Sequence, residues 1–438
     1  MKIAIVGTGI AGMTAAWHLH RRHDITVFEG ADYIGGHTNT IDVVHGGREY
    51  SIDTGFIVFN DQTYPEFVRL MDLLEVASQP TEMSFSVRCE ATGIEYNGAS
   101  LNKTFAQRRN LLRPSFHRML SDILRFYREA PRLLAVENST GPSLGEYLES
   151  NHYSGEFIKR HIMPLGSAIW STDPSAMFDF PAALFLRFFH NHGLLQMKDR
   201  PQWRVISGGS ARYVEKLTAP FRDRIKLNTR VDSIRRTANS VEVKTRGAWE
   251  RFDSIVIASH GDHALRMLAD PSPIEREILG SFRTQSNATV LHTDDSVLPR
   301  TRRARAAWNY HLISAEDQRV AITYNMNVLQ RIDAPVNFCV TLNHSDSIDP
   351  SKIIKRINYE HPVYDAKAIA AQKRHAEVNG VNRTYYCGAY WGYGFHEDGV
   401  KSALRVCAMI RDAAVLNSRQ AQANAMRDQS RWPMEIAS

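Results

Sequence analysis

Three glycines near the start of the chain have the spacing of a phosphate-binding loop. Gly7, Gly9 and Gly12 form a G-x-G-x-x-G motif in which Ile10 and Ala11 are the last two intervening residues. In such a loop the first glycine permits a tight turn, the second lets the backbone approach a pyrophosphate, and the third allows close helix packing. The N–H groups at the start of the following helix then bind phosphate. The motif therefore predicts a dinucleotide site.

A carboxylate is placed to bind the sugar of that dinucleotide. Glu29 lies at the end of the segment "DITVF", 22 residues after Gly7. A carboxylate at this place accepts hydrogen bonds from ribose hydroxyls and repels the 2′-phosphate of NADP. The residues themselves leave both FAD and NAD open.

These residues need a strand, a tight turn, a helix and a second strand to position them. The apolar run "KIAIV" precedes the glycines, the helical pattern "MTAAWHLHRRH" follows them, and "DITVF" supplies the second strand. This order is typical of a mononucleotide-binding βαβ unit. The full chain of 438 residues is too long for one ordinary core, so we expect two associated domains.

Composition narrows the class of protein. The chain is 43% hydrophobic and 23% charged, with a net charge of +6, and lacks the apolar run of about 20 residues that spans a bilayer. We therefore expect a cytoplasmic protein. The basic balance suits an anionic cofactor or membrane surface, whereas the run "PRTRRAR" lacks the aromatic residues that stack on bases, so we expect no nucleic-acid partner.

Several motifs resemble those of the superfamily of flavin amine oxidases and phytoene or zeta-carotene desaturases, and in particular its bacterial NAD/FAD-binding oxidoreductase branch. The similar segments are "GADYIGGHTNT", "SIDTGFIVFN", "WRVISGGSARYVEKL" and "GYGFHEDG". The resemblance implies FAD as the cofactor. It also implies an α/β fold, with a Rossmann-like (GR2-type) FAD-binding domain and an interleaved α+β substrate domain of helices and antiparallel sheet.

The resemblance also implies domain limits and cofactor contacts. The FAD-binding domain is expected at 1–60, 200–265 and 380–416, the substrate domain at 61–199 and 266–379, and a polar tail at 417–438. His37 stands where the superfamily has an arginine. The expected cofactor-binding residues are Gly7, Gly9, Ile10, Ala11, Gly12, Glu29, Gly30, Gly35, Gly36, His37, Thr38, Thr54, Gly55, Phe56, Val231, Ala258, Gly388, Asp398, Gly399 and Val400.

One dinucleotide motif without a second suggests a flavin reduced by the substrate itself. We therefore expect an FAD-dependent oxidase or desaturase that removes hydride from a C–H or C–N bond of a hydrophobic substrate, such as a lipid acyl chain. An amine oxidase acting on a small amine and a non-catalytic flavoprotein partner in a lipid-modification complex are the alternatives.

Candidate catalytic and substrate residues follow from their place beside the flavin motifs. His396 and Glu397 precede the helix expected to face the flavin, where either can orient substrate or move a proton. The aromatic residues expected to line the substrate site are Trp170, Tyr310, Tyr324 and Trp391. His190 and His192 have H-x-H spacing, but the sequence shows no third ligand, so we expect no metal.

A basic segment leaves two interpretations open. Residues 101–134 carry Lys103, Arg108, Arg109, Arg113 and further arginines interleaved with apolar side chains. The segment is either a solvated helical face that covers the core, or a surface that docks on anionic lipid at the inner face of the membrane.

Overall fold

The computed structural model describes residues 1–133, 141–170, 174–195, 200–313 and 321–429. The strands are β1 (Lys2–Val6), β2 (Asp24–Phe28), β3 (Thr40–His45), β4 (Arg48–Asp53), β5 (Phe59–Asn60), β6 (Ser78–Pro80), β7 (Phe85–Cys89), β8 (Ile94–Asn97), β9 (Trp203–Ile206), β10 (Ile225–Lys226), β11 (Val231–Arg236), β12 (Val241–Thr245), β13 (Ala248–Phe252), β14 (Ser254–Ile257), β15 (Arg283–His292), β16 (Trp308–Leu312), β17 (Ile322–Asn325), β18 (Cys339–Leu342), β19 (Ile353–Val363) and β20 (Thr384–Tyr386).

The α-helices are α1 (Ile10–Leu19), α2 (Pro65–Leu73), α3 (Leu101–Thr104), α4 (Pro114–Leu133), α5 (Leu144–Ser150), α6 (Gly155–Phe157), α7 (Met163–Trp170), α8 (Pro174–Phe178), α9 (Ala182–Asn191), α10 (Ala211–Thr218), α11 (Gly261–Met267), α12 (Pro273–Leu279), α13 (Met326–Leu329), α14 (Ala366–Gln372), α15 (His375–Val378) and α16 (His396–Gln429). None of these helices combines the length and apolarity that crossing a bilayer requires.

A five-stranded parallel sheet carries the N-terminal motif. Its order is β10-β2-β1-β14-β20, and Val6 pairs with both Phe28 and Ile257. Strand β1 is apolar and buried from Ile3 to Val6 because both faces of the sheet are covered, as parallel sheets require. The carboxyl ends of β1, β2 and β14 therefore meet at one edge, where open α/β sheets bind ligands. The predicted βαβ unit and the Rossmann-like fold are confirmed.

Two layers cover this sheet. Helices α1 and α16 pack together on one face, in a core that includes Ile5, Ala15 and Val406. The other face packs on the three-stranded antiparallel sheet β11-β12-β13 and on α11 and α12, through residues such as Ile234 and Phe282. The result is the layered architecture expected of an α/β domain.

A second, seven-stranded sheet has the order β19-β15-β18-β17-β16-β7-β8. Its pairs are antiparallel, except that β7 runs parallel to β16. Strands β7 and β8 form a hairpin from an early part of the chain, and this hairpin joins the edge of strands that come much later. Helices α4, α5, α7 and α9 share a large aromatic core with this sheet.

The C-terminal helix is longer than expected. Helix α16 continues to Gln429, so the first part of the segment predicted as a polar tail is helical. Residues 430–438 lie outside the described residues. The division into domains stays a prediction, although the two sheets do draw their strands from alternating segments of the chain.

Candidate functional site

The glycine motif forms a cradle at the carboxyl edge of the parallel sheet. Gly7 has a φ of +96°, which L side chains rarely adopt, and a Cβ on Gly12 would lie 2.0 Å from the Gly7 carbonyl oxygen. At Gly9, by contrast, an added Cβ would meet nothing within 4 Å. Gly7 and Gly12 thus let the turn pack against α1, while Gly9 leaves open space above it.

Helix α1 begins inside this cradle with its backbone donors free. Its N-cap is Gly9, which has no side chain to cap the helix, and its first turn holds no acidic residue. The unsatisfied N–H groups and the positive end of the helix dipole attract an anion. The start of α16 lies alongside, because a Cβ on Gly399 would meet the Ile10 Cγ2 atom at 2.7 Å.

Glu29 is held in place at the end of β2. Its Oε2 accepts a hydrogen bond from the Thr8 backbone N–H at 2.8 Å, and its Oε1 accepts one from the Ala31 N–H at 2.9 Å. Carboxylate oxygens have further lone pairs that can accept hydrogen bonds from ribose hydroxyls. The role of Glu29 in binding ribose stays a prediction, and its carboxylate is free to accept further hydrogen bonds at this place.

Two loops close over the cradle. A Cβ on Gly36 would approach the Gly9 Cα to 3.1 Å, and one on Gly55 would lie 2.1 Å from the His37 carbonyl oxygen. The loop that contains Gly36 therefore lies directly on the glycine motif, and the segment that contains Gly55 lies against His37. A side chain at Gly55 would displace the His37 backbone, and one at Gly36 would press on the Gly9 Cα.

One cavity of about 930 Å³ extends from the cradle between the two sheets. Its far part is apolar and aromatic, with Met83, Leu165, Phe188 and Trp308 among the walls. The predicted site residues that line the cavity are Gly7, Gly9, Ile10, Ala11, Glu29, Gly35, Gly36, His37, Gly55, Phe56, Ala258, Gly388, Tyr324 and His396. The fold thus brings together residues from both ends of the sequence.

His396 is fixed between these walls. Its ring stacks on Phe56 with 3.5 Å between centroids, and its Nε2 lies 3.0 Å from the Thr38 hydroxyl and 3.1 Å from that of Tyr213. Burial lowers the pKa of His396 well below its ordinary value. A neutral imidazole held in this way orients its neighbours and does not exchange a proton near neutral pH.

Glu397 faces away from the cavity. Its carboxylate accepts hydrogen bonds from the backbone N–H groups of Glu66 and Phe67 at the start of α2 and pairs with Lys401 at 3.0 Å. These contacts make it a capping residue that joins α16 to α2. The geometry does not support the catalytic role predicted for Glu397.

The other predicted cofactor residues do not line the cavity. Thr54 donates to the Asn39 carbonyl oxygen, and the carboxylate of Asp398 accepts from the N–H groups of Tyr393 and Phe395. Burial raises the pKa of Asp398 to about 6. Gly30 is exposed, and Val231 and Val400 are buried in the core.

Three of the four aromatic residues predicted to meet substrate pack elsewhere. Trp170 donates its indole N–H to the Tyr393 carbonyl oxygen, Tyr310 is buried in β16, and Trp391 contacts Phe282. Only Tyr324 of this set reaches the cavity, beside Trp308. Burial in strands or between helices decides these positions, and aromatic character alone does not reveal it.

Sequence reasoning missed a set of polar side chains at the cradle end, namely Tyr33, His260, His263, Tyr359 and His361. They come from the loop after β2, from the end of β14, from α11 and from β19. The signal available in the sequence was the position of His260 and His263 just after the apolar run "SIVIA", which forms β14 and its end. Nothing in the sequence indicates that β19 lies against them.

Comparisons with known proteins agree with this geometry. Residues 10–300 match the model of a family described as "Flavin containing amine oxidoreductase". A comparison with curated protein sequences finds no match.

Solved structures show the same fold at low sequence identity. Cyclohexylamine oxidase from Brevibacterium oxydans superposes with a TM-score of 0.67 at 15% identity, over 94% of this chain and 99% of that chain. Putrescine oxidase bound to putrescine gives 0.66 at 14% identity, with the same two coverages. A fatty acid isomerase from P. acnes gives 0.62 at 18% identity, over 93% of this chain and 98% of that chain.

Proposed function

The chain belongs to the flavin containing amine oxidoreductase family, and from that premise we propose that it oxidises a hydrophobic substrate, namely a lipid acyl chain. The family membership makes it an FAD-dependent oxidoreductase. FAD, when bound, accepts a hydride or electrons from the substrate. The proposal concerns the substrate and the residues that receive it.

The residues at the cradle fit FAD. A Cβ on Gly12 would strike the Gly7 carbonyl, while the space above Gly9 is open, and the backbone donors of α1 beside it are free. Glu29 is oriented to accept bonds from ribose hydroxyls. Together these groups supply the turn, the anion-binding donors and the sugar acceptor that an adenine dinucleotide needs.

The apolar far end of the cavity carries the proposal on substrate. Its described walls include Phe85, Leu165, Ile169, Phe188 and Leu194. Such walls bind a hydrocarbon by removing its surface from water, at about 25 cal/mol per Å². They also exclude water from the reacting bond.

Charge at the cavity favours an acyl chain over a cationic amine. Among the described residues lining the cavity, the carboxylates are Glu29 and Glu360, and both are engaged at the cradle end, Glu360 by His263 at 2.7 Å. Arg200 stands among the lining residues with Trp203, and we assign it to the carboxylate or ester head of the chain. An ammonium group would find no free carboxylate among these walls.

The test of this proposal is substrate-dependent loss of the yellow colour under anaerobic conditions. Long-chain unsaturated fatty acids and their methyl esters, hexadecylamine and putrescine are each mixed with the FAD-loaded protein. We expect bleaching with the acyl compounds and none with putrescine. Bleaching by putrescine alone would overturn the assignment in favour of a small-amine oxidase.

We also propose that the basic segment docks on anionic lipid. The short helical turn at Arg108–Leu112 exposes Leu111 and Leu112, the latter to 88%, and Leu101 nearby is 79% exposed. Exposed leucines are costly in water, and beside Arg108 and Arg109 they match a surface of anionic head groups over acyl chains.

Vesicle co-sedimentation tests the docking surface. We expect binding to vesicles that contain phosphatidylglycerol, loss of binding at high salt, and loss in the double variant Leu111→Ser and Leu112→Ser. Leu73→Ser is the matched control, because Leu73 is an exposed leucine on α2. Equal binding by the double variant and the control would contradict the proposal.

A further inference from the structure

Three histidines meet at the cradle end of the cavity from separate parts of the chain. The ring of His37 lies 6.0 Å from that of His260 and 5.2 Å from that of His361, measured between centroids. His37 follows Gly36 in the loop over the cradle, His260 follows β14, and His361 lies in β19. We call these three residues the histidine cluster. All three line the cavity.

The hydrogen bonds of His37 leave one ring nitrogen bare. The backbone of Glu360 hydrogen-bonds the ring, while Nε2 is buried without a partner, so the bonded nitrogen is Nδ1. In the neutral ring Nδ1 therefore carries the proton and donates to the Glu360 carbonyl oxygen, and Nε2 is an acceptor with no donor. Burying such a nitrogen costs free energy unless a ligand forms a hydrogen bond with it.

In its protonated form the cluster would supply positive charge at the cradle end, where no lysine or arginine stands among the described lining residues. Among the described residues that line the cavity, the one arginine or lysine is Arg200, which interacts with Tyr127 on α4. Asp262 pairs with Arg266 at 3.0 Å on α11. The charged and titratable groups around the cluster, taken over every neighbouring element, are Glu29, Tyr33, Tyr359, Glu360, Asp262, His263, Arg266 and His396.

An anion at the cradle would lie beside this cluster. The Gly36 backbone touches Gly9, so His37 adjoins the N-terminus of α1 that attracts the pyrophosphate. A neutral Nε2 and a phosphate oxygen are both acceptors and repel each other. A protonated Nε2 donates a charge-assisted hydrogen bond instead.

The cluster is neutral in the free protein. Burial and, to a smaller extent, the neighbouring His37 and His263 together lower the pKa of His260 to about 3. Burial also lowers the pKa of His37, and it lowers that of His361 well below the ordinary value. A polyanion bound beside the cluster would raise these pKa values, because it stabilises the protonated imidazoles.

We propose that the histidine cluster binds the pyrophosphate of FAD by taking up a proton, so that cofactor binding and protonation are coupled. The inference rests on FAD occupying the cradle. The proton comes from solvent and is shared by the three imidazoles, since mutual repulsion disfavours a second one. FAD then binds more weakly as the pH rises towards the pKa of the cluster in the complex, and above that pKa its affinity no longer changes.

Calorimetric titration of the apoprotein with FAD tests the coupling, without use of activity. Titrations in two buffers of different ionisation enthalpy at pH 7.5 are expected to show uptake of about one proton per FAD. Between the pKa of the cluster in the apoprotein and its pKa in the complex, the Kd is expected to rise by about tenfold per pH unit, and above the pKa of the complex it levels off. His190→Gln, at an exposed histidine on α9, should behave as the unaltered protein.

His37→Arg gives the sharpest comparison, because a guanidinium is charged at every pH used. We expect this variant to bind FAD with no proton uptake and with a Kd that is independent of pH from 6 to 9. If circular dichroism shows that it does not fold, the double variant His260→Gln and His361→Gln replaces it and should take up less than half a proton.

Two outcomes separate the failure of this inference from failure of its premise. FAD binding without proton uptake, and with the same pH dependence in His37→Arg as in the unaltered protein, overturns the histidine inference and leaves FAD binding intact. Absence of FAD binding at every pH overturns the cofactor assignment itself, and the inference with it.

Discussion

The two ends of the cavity are built by opposite means. At the cradle end, backbone forms much of the wall, because Gly7, Gly9 and Gly36 bring main chain to the cavity surface, and polar side chains surround it. At the far end, bulky side chains such as Leu165 and Phe188 form the walls. A site made of backbone needs particular residue types at fixed spacing, whereas a site made of apolar side chains needs only volume and shape.

The largest expected effect comes from filling the open space above the cradle. Gly9→Val adds a side chain where nothing of the protein lies within 4 Å. We expect about a 100-fold loss of FAD affinity, because the side chain occupies the pyrophosphate position. The apoprotein should melt at nearly the same temperature as the unaltered one. Fluorescence titration with FAD measures the first quantity and calorimetry the second.

Two outcomes of the Gly9→Val experiment would count against this prediction. If Gly9→Val binds FAD as tightly as the unaltered protein, the cradle is not the cofactor site. If instead the melting temperature of the Gly9→Val apoprotein falls sharply, the loss of FAD comes from unfolding. The variant then no longer shows that the cradle end depends on its backbone.

The next largest effect is expected on the stability of the apoprotein at acid pH, because several buried histidines lie at the cradle end. The pKa of His260 is about 3 in the folded apoprotein and ordinarily 6.5, so the unfolded chain binds more protons below pH 6.5. The free energy of unfolding is therefore expected to fall as the pH drops, and His260 alone contributes about 2 kcal/mol of this loss between pH 7 and pH 5. Urea unfolding of the apoprotein at pH 7 and at pH 5 measures this change in the free energy of unfolding.

Replacing the histidine cluster checks where this loss originates. The triple variant His37→Gln, His260→Gln and His361→Gln should lose less stability between pH 7 and pH 5 than the unaltered apoprotein. An equal loss in both proteins would place the responsible groups elsewhere.

A smaller effect is expected at the far end. Leu165→Gln puts an amide into the apolar wall, and we expect about a tenfold fall in kcat/KM for an acyl substrate with FAD affinity unchanged. Leu184→Gln is the control, because Leu184 packs on the same core and lies outside the cavity walls given above. If kcat/KM falls by the same factor in Leu184→Gln, the effect of Leu165→Gln comes from lost core packing and not from contact with the substrate.

The smallest effect is expected at Gly30, which the sequence motif places among the cofactor residues. A Cβ there would meet the Arg230 Cβ at 3.7 Å, an ordinary contact. Gly30→Ala should leave FAD affinity within about twofold of the unaltered protein, since it removes no donor and fills no ligand space. A larger loss, measured by the same fluorescence titration, would give Gly30 a direct part in the site.

Much of the cradle follows from local sequence. The G-x-G-x-x-G spacing, the flanking apolar strands and Glu29 together predict the βαβ unit, because turn geometry, strand burial and helix packing are local constraints. The walls of the far end do not follow in this way. Trp170 and Tyr310 belong to the core while Phe188 and Trp308 reach the cavity, and no spacing distinguishes them.

The sequence by itself determined the dinucleotide fold, since a glycine's freedom of conformation and a strand's apolar pattern act over a few residues. Only the tertiary structure decided that His37, His260 and His361 share one end of the cavity, and that Glu397 caps α2 instead. Such contacts depend on how β14, β19 and α16 pack across hundreds of residues, and the identity of each residue alone does not encode its partner.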